Sequence, residues 1–244
     1  MLLPSRKETI HRSWLYRLLT AICDCSHLVG VLYFKGGTCA AMHGFLDRFS
    51  VDLDFDYVGE NVDIPKTRAA LESIFNDLGL IIADSSSKVP QYFLKYPNKP
   101  NERNALKLDV ATFRVKANKY EPVRLVDIDR IVYCQTKETM FANKLVATME
   151  RLDNNGTLAG RDIYDIHYFF MQGFAYDADV IAERRKTDSQ TYIRKLTLFL
   201  EKHLTQTIID QDINTLLPPE KFRRIRKLLK QEVLMFLKNE GVRP

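Results

Sequence analysis

Three aspartates alternate with apolar residues in the segment Asp52–Tyr57. In an extended strand successive side chains point to opposite faces, so Asp52, Asp54 and Asp56 share one face and the apolar residues share the other. Neighbouring carboxylates raise one another's pKa unless a positive charge neutralises them. We therefore expect a strand with a buried apolar face and an acidic face that binds a divalent cation. Mg²⁺ fits such a face because it prefers hard oxygen ligands. The alternative is a solvated acidic face on an edge strand.

The segment before this strand predicts a phosphate-binding turn. An apolar strand, Val29–Phe34, leads to Gly36 and Gly37, whose missing Cβ atoms allow a tight turn and a close approach of backbone N–H groups to a ligand. Thr38 follows where a helix would begin, and its hydroxyl adds one more hydrogen-bond donor. A phosphate cradle beside an acidic strand suits a metal-dependent nucleotide site.

Three short motifs in this region resemble the signature of the AbiEii/AbiGii-type nucleotidyltransferases, a branch of the DNA polymerase β-like superfamily. These motifs are Gly36-Gly37-Thr38, Arg48-Phe49-Ser50 and Asp52-Leu53-Asp54-Phe55. The resemblance implies a polymerase β-like core that transfers a nucleoside monophosphate from a nucleoside triphosphate to an acceptor. Many members are toxins of bacterial toxin–antitoxin (abortive infection) systems, so a cognate antitoxin is an expected partner.

The same resemblance implies a set of site residues. Two Mg²⁺ ions would be held by Asp52, Asp54 and a third carboxylate. The nucleotide would be bound by residues of the glycine turn and of the segment before the acidic strand, namely Lys35, Gly36, Gly37, Thr38 and Ser50.

The third carboxylate is expected from a later strand. In Leu106–Ala111 the apolar residues share one face, while Lys107, Asp109 and Ala111 share the other. If that second face continues the acidic face of the Asp52 strand, Asp109 is the third metal ligand, which agrees with the resemblance. The alternative is that Asp109 is a surface residue close to a turn.

Hydrophobic periodicity divides the chain near residue 135. Short apolar runs mixed with helical segments precede this point, and the period is helical from Thr136 onward. We therefore expect an α/β nucleotidyltransferase core over residues 1–135 and a helical domain over residues 136–244. The predicted fold class is α+β, a polymerase β-like core with a mixed sheet followed by a helical C-terminal region.

Four further elements are predicted from local patterns. A helix is expected from Ser5 to about Ser26, and Val123–Val126 and Ile131–Tyr133 are expected as edge strands or sheet-to-helix connections. After Pro218-Pro219 a single last helix is expected to run to Leu237.

The helical part carries a second candidate cluster. Lys144 and Arg151 lie seven residues apart, hence on one helix face, and the next helix carries Arg161, Asp162 and Asp165. These residues could simply be a solvated lysine and an i,i+4 surface salt pair worth about 0.2–0.5 kcal/mol. They also resemble two later motifs of the AbiEii-type family. In that family the lysine neutralises negative charge on the triphosphate or in the transition state, and an acidic residue completes the active-site network. Whether Asp162 or Asp165 is that acid stays open, and Arg161 either orients one of them or binds phosphate.

Composition limits the classes of protein that this chain can be. Its 244 residues are 45% hydrophobic, which is enough for a core, and no apolar run is long enough to span a membrane. The four cysteines lack the spacing of a zinc site or a disulfide framework, so reduced thiols in a cytoplasmic protein are expected. The net charge of +5 permits a nucleic-acid partner without requiring one. A basic run, 221–230, either contacts an RNA backbone, is a solvated face, or meets an acidic partner.

Three functions remain open from the sequence. The first is a Mg²⁺-dependent enzyme that adds nucleotides to RNA, with a tRNA 3′ end as the expected acceptor because some relatives act there. The second is nucleotidylation or phosphorylation of a protein or small molecule. The third is a non-catalytic binding protein of the same fold.

Overall fold

A computed structural model of the protein describes residues 6–99 and 102–242, which form two compact units. The first unit comprises the described chain up to Gly44, Phe49–Arg114 and Tyr120–Gln135. The second comprises Phe45–Arg48, Val115–Lys119 and the described chain from Thr136 onward. Ser5, where the sequence predicts the start of the first helix, lies outside the described residues.

The first unit contains a mixed β-sheet, which confirms the predicted α+β fold class. In the described residues its strands are β1 (Leu32–Lys35), β2 (Asp52–Tyr57), β3 (Ile81–Ser85), β4 (Gln91–Lys95), β5 (Ala105–Ala111), β6 (Tyr120–Leu125) and β7 (Arg130–Gln135). The strand order is β3-β4-β5-β2-β1-β7-β6. The β1–β7 and β2–β5 pairs are parallel and the other pairs are antiparallel.

One face of this sheet is apolar and packs against helices. The helices of the first unit are α1 (Arg6–Asp24), α2 (Ser26–Val31), α3 (Gly36–Met42) and α4 (Ile64–Asp77), with a short 3-10 turn at Asn61–Asp63. Leu53 and Phe55 of β2 are buried together with Leu18 and Leu19 of α1. Successive side chains of β2 therefore alternate between the two faces as predicted, because the apolar residues are buried on one face and the aspartates lie on the other.

The second unit is helical, as predicted for the region after Thr136. Its helices are α5 (Lys137–Asn155), α6 (Gly160–Met171), α7 (Ala178–Arg185), α8 (Ser189–His203), α9 (Gln206–Ile213), α10 (Pro219–Ile225) and α11 (Leu229–Gly241). Thr136 caps α5 by accepting a hydrogen bond from the Thr139 backbone N–H, and Gly156 ends it with a φ of +67°. Across the described residues, none of the helices is both long and apolar enough to cross a bilayer.

Three local predictions are wrong. The predicted strand Val29–Phe34 begins only at Leu32, because α2 continues to Val31 and buries Leu28 completely. Strand preferences span only about 1 kcal/mol, so this burial outweighs them. The edge-strand alternative is wrong for Ile131–Tyr133, because β7 pairs with both β1 and β6. It holds for most of Val123–Val126, which falls in the edge strand β6.

The third wrong prediction is the single last helix, which is broken between α10 and α11. The Arg226 guanidinium forms an ion pair with Asp210 of α9. The Gln206 side chain donates a hydrogen bond to the Arg226 carbonyl at 3.0 Å. These contacts hold the residue after α10 in a turn, and tertiary partners of this kind cannot be read from the local period.

Gly160 offers a test of the packing of α6 on α9. A Cβ at Gly160 would lie 2.7 Å from the Ile208 carbonyl oxygen, so we expect Gly160→Ala to destabilise the protein by about 1–3 kcal/mol through overpacking. Gly30 is the matched control, because it lies in α2 with no atom within 4 Å of an added Cβ. Gly30→Ala should be neutral or stabilise by up to about 1 kcal/mol. Thermal melts followed by circular dichroism measure both, and an equal Tm for the two variants would contradict the packing described.

Candidate functional site

A glycine with a left-handed backbone begins the candidate site in the first unit. Strand β1 ends at Lys35 and α3 begins at Gly36, whose φ is +79°. A Cβ on Gly36 would clash with the Asp54 side chain, whose own Cβ and Cγ would be 2.9 Å away. Gly36 is therefore needed for its backbone conformation and for the space it leaves to Asp54. Gly37 lies inside the first turn of α3.

Thr38 joins this turn to the acidic strand. Its hydroxyl donates a hydrogen bond to the Asp52 carbonyl oxygen at 2.5 Å, and the residue is 4% exposed. This hydrogen bond holds α3 against the first residue of β2. Because it uses the hydroxyl proton of Thr38, phosphate binding by that hydroxyl stays a prediction. Ser50 lies in the irregular segment just before β2 and is half-buried.

The sheet brings the three predicted metal ligands onto one face. The parallel register of β2 and β5 pairs Asp54 with Asp109 and Asp52 with Lys107. Lys107 Nζ contacts Asp109 Oδ2 at 2.5 Å, and Gln91 Nε2 donates to the same oxygen at 3.0 Å. Burial raises the pKa of Asp54 to about 6, and the charges of Asp52 and Asp109 add to this rise. In the described chain, the oxygens of the three aspartates do not all come within 4.8 Å of one another.

Asp56 differs from the other aspartates of β2 because protein donors already satisfy it. Lys35 Nζ lies 2.6 Å from Asp56 Oδ1. The Tyr120 hydroxyl and Gln135 Nε2 donate to Asp56 Oδ2 at 2.8 and 2.6 Å. Asp56 thus links β2 to residues of β1, β6 and β7. In this arrangement the Lys35 ammonium is paired with Asp56.

The second unit gathers the predicted lysine and both predicted acids. Lys144 on α5 places its Nζ 2.9 Å from Asp162 Oδ1 and 3.0 Å from Asp165 Oδ2 on α6. The Asp162 and Asp165 side chains are 1% and 0% exposed. The alternative of a surface salt pair is therefore wrong for Asp165. Both aspartates contact the lysine, so the geometry does not single out one of them as the essential acid.

Arg48 completes this cluster, a role that its place in a sequence motif does not predict. Its Nε and Nη2 donate to the two oxygens of Asp165 at 2.5 and 2.7 Å, a bidentate pair. The Arg48 and Asp165 side chains are 5% and 0% exposed. A buried charge needs a partner of opposite charge, and Asp165 has two of them, Arg48 and Lys144. The only sequence signal for this role is that Arg48 opens the motif that ends at Ser50.

Opposite charges keep the cluster ionised despite its burial. Burial would raise the pKa of Asp162, but Lys144 and Arg151, whose Nε lies 2.9 Å from Asp162 Oδ2, hold it below its usual value. The charge of Arg161, in the first turn of α6, acts in the same direction. Burial likewise would lower the pKa of Lys144, but Asp162 and Asp165 hold it above its usual value. These groups are therefore charged at neutral pH.

The chain is similar to known proteins over most of its length. Residues 17–234 match the family model described as "Nucleotidyl transferase AbiEii toxin, Type IV TA system". A solved structure of a candidate nucleotidyltransferase from H. pylori is similar, with a TM-score of 0.56 and 17% identity over 97% of this chain and 98% of that one. JHP933 from Helicobacter pylori gives a TM-score of 0.54 at 17% identity over 98% and 96% of the two chains.

A third similar structure is an antigenic nucleotidyltransferase-like protein from Paracoccidioides brasiliensis, with a TM-score of 0.50 at 13% identity over 81% of this chain and 92% of that one. Identities this low show a shared fold. No curated protein sequence matches the chain. The family match includes the glycine turn, the aspartates of β2 and β5, and the Lys144 cluster, and it confirms the resemblance read from the motifs. The chain therefore belongs to the AbiEii family of nucleotidyl transferase toxins of type IV toxin–antitoxin systems, and it is a nucleotidyltransferase.

Proposed function

We propose that this protein transfers a nucleoside monophosphate from a nucleoside triphosphate to RNA, at a tRNA 3′ end. In this role it acts in the cytoplasm as a toxin that its cognate antitoxin neutralises. The acceptor hydroxyl forms a bond to the α-phosphorus, the bond from that phosphorus to the bridging oxygen breaks, and pyrophosphate leaves. The observation that carries the proposal is the position of Asp54, which lies against the Gly36 turn and beside Asp109.

The acidic face fits Mg²⁺, and Asp52, Asp54 and Asp109 would hold two such ions. Burial and two neighbouring carboxylates make the ionised form of Asp54 unfavourable without a cation, as its raised pKa indicates. Carboxylate oxygens are the ligands that Mg²⁺ takes in proteins, together with substrate phosphates. When bound, the metal supplies positive charge to the phosphate oxygens and lowers the pKa of the attacking hydroxyl.

The remaining chemistry of the proposal falls to this chain's own side chains. The turn at Gly36 and Gly37, with Lys35, Thr38 and Ser50 near it in sequence, would bind the triphosphate. The family resemblance assigns to Lys144 the stabilisation of the negative charge that develops as pyrophosphate leaves. Its two carboxylate partners support this role, because they keep the ammonium charged in a buried position. Arg161 would bind phosphate or orient Asp162.

An RNA acceptor is supported by the exposed part of the basic run. Arg223, Arg224 and Lys227 are exposed around the end of α10. The other basic residues of the run are engaged within the second unit. Lys221 pairs with Asp47, Arg226 pairs with Asp210, and Lys230 donates to the carbonyls of Glu201 and Leu204. Exposed arginines and lysines of this kind bind phosphates without reading bases.

The first prediction of this proposal compares Asp54 with Asp56. Asp54→Asn should lower nucleotide transfer by more than about 100-fold, since even outer-shell changes at metal sites cost about 10–100-fold. The Tm should not fall, because the substitution removes a carboxylate whose ionised form is unfavourable in the folded protein. Asp56→Asn should lower the free energy of unfolding by about 1–3 kcal/mol, because Lys35, Tyr120 and Gln135 lose a charged acceptor. It should retain more transfer than Asp54→Asn.

The assay incubates the protein with each labelled nucleoside triphosphate, Mg²⁺, and either total RNA or total cell protein. Label on RNA supports the proposal, and label on protein or on a small molecule contradicts the RNA acceptor. Absence of any label contradicts catalysis. In cells, expression without the antitoxin should slow growth, whereas the Asp54→Asn variant should not. Equal inhibition by both would mean that toxicity does not come from this site.

The second prediction concerns pH and follows from the raised pKa of Asp54. A pKa of about 6 in the folded state lies above the unfolded value of about 3.9, so the fold favours the protonated form. This contribution to stability is complete below the unfolded pKa and is lost as the pH rises through about 6. Without metal, the Tm should therefore fall more between pH 5 and pH 7.5 in the parent protein than in Asp54→Asn. Mg²⁺ should restore the Tm at pH 7.5 in the parent only, and an equal response of the variant would contradict the site.

The third prediction tests the acceptor surface. Replacing Arg223, Arg224 and Lys227 with alanine should weaken RNA binding and reduce the slope of log affinity against log salt by roughly 0.7–0.9 for each phosphate that is no longer neutralised. Transfer to a minimal acceptor should change little. A matched control replaces three exposed lysines elsewhere in the second unit, Lys195, Lys202 and Lys238, for the same change in net charge. An equal slope in the two triple variants would show that α10 does not contact RNA.

A further inference from the structure

Three side chains of the first unit meet in an arrangement that the sequence spacing does not reveal. Cys39, His43 and Cys134 bring their ligand atoms within 4.8 Å of one another, the one such group of three His, Cys, Asp or Glu residues in the described chain. Cys39 lies in α3 and His43 is the C-cap residue of that helix, so their four-residue spacing puts them on one face. Cys134 lies on β7, where it pairs with Phe34 of β1.

The chemistry of this group is that of a soft metal site. Both cysteines are fully buried, and His43 is half-buried. Two sulfurs and an imidazole are the ligand types that Zn²⁺ prefers, whereas Mg²⁺ requires hard oxygen ligands. Zn²⁺ with three protein ligands keeps a fourth, tetrahedral position for water.

The two thiols of this group differ in acidity. A hydrogen bond from Cys39 lowers the pKa of Cys134 against the effect of burial, and His43 lowers it further. Burial raises the pKa of Cys39. A metal ion would therefore displace a thiol proton from Cys39 and meet a more acidic thiol at Cys134.

We propose that Cys39, His43 and Cys134 bind one Zn²⁺ ion, separate from the aspartate site. The ion would tie α3, which begins at Gly36, to strand β7. Because α3 is also fixed to β2 by the Thr38 hydroxyl, such a tie would hold the glycine turn from two sides. In this proposal the ion holds these elements together, and its binding does not depend on the proposed transfer reaction.

The test measures Zn²⁺ binding to the purified, chelator-treated full chain under reducing conditions. One equivalent of Zn²⁺ should bind and raise the Tm, and Co²⁺ in its place should give thiolate-to-cobalt charge-transfer absorption. Cys134→Ser and His43→Gln should each weaken Zn²⁺ binding by at least about 100-fold and remove the Tm shift. Cys134→Ser should also remove half of the thiolate absorption or more. Circular dichroism of both variants checks that they fold.

Two control variants distinguish binding at these three residues from binding elsewhere on the protein. Cys25→Ser should bind Zn²⁺ like the parent, because Cys25 is the N-cap residue of α2 and lies outside the group. Asp54→Asn should also bind Zn²⁺ like the parent. No Zn²⁺ binding by the parent would identify the three residues as ordinary core and overturn the proposal. So would binding that survives in Cys134→Ser but is lost in Asp54→Asn, because the ion would then lie with the aspartates.

Discussion

The candidate site depends on the contact between Gly36 and Asp54. Any residue with a Cβ at position 36 would enter the space of the Asp54 side chain, and the φ of +79° would be strained for it as well. The hydrogen bond from Thr38 to Asp52 fixes the same two elements at a second point. A turn that can approach phosphate and a strand that carries carboxylates are thereby held as one rigid pair.

The aspartates of β2 show how surroundings place identical side chains in different electrostatic environments. Asp54 and Asp56 share a face and differ by two positions, but Asp56 accepts from an ammonium, a phenol and an amide. Asp54 instead is desolvated by burial, and this effect, together with the charges of Asp52 and Asp109, raises its pKa against the opposing effect of two lysines. Asp56 therefore stabilises the fold, whereas Asp54 stays available to a cation.

In the second unit, burial opposes the charges of Asp162, Lys144 and Arg48. Two buried aspartates face Lys144, Arg48 and Arg151, so each carboxylate has at least two cationic partners. Removing Asp165 would cost the buried Arg48 guanidinium both of its hydrogen bonds to a carboxylate, which is strongly destabilising. The cluster consequently holds α5, α6 and the segment Phe45–Arg48 together inside that unit. The Lys144 side chain is 18% exposed, and its two carboxylate partners keep its ammonium charged.

The alternating strand of β2, the Gly36 turn and the helical period after Thr136 could all be predicted from the sequence, because they depend on local spacing. Short motifs in the same segments were enough for the resemblance to the family. Three pairings became visible only in the folded chain: Asp109 with Asp54, Arg48 with Asp165, and Cys134 with Cys39 and His43. The tertiary structure also decided that Val29–Val31 is helical and that the last helix is broken at Arg226. Each of these outcomes depends on strand register or on a partner distant in the chain. Local periodicity carries no information about which distant side chain will offset the cost of burying a charge or complete a ligand set.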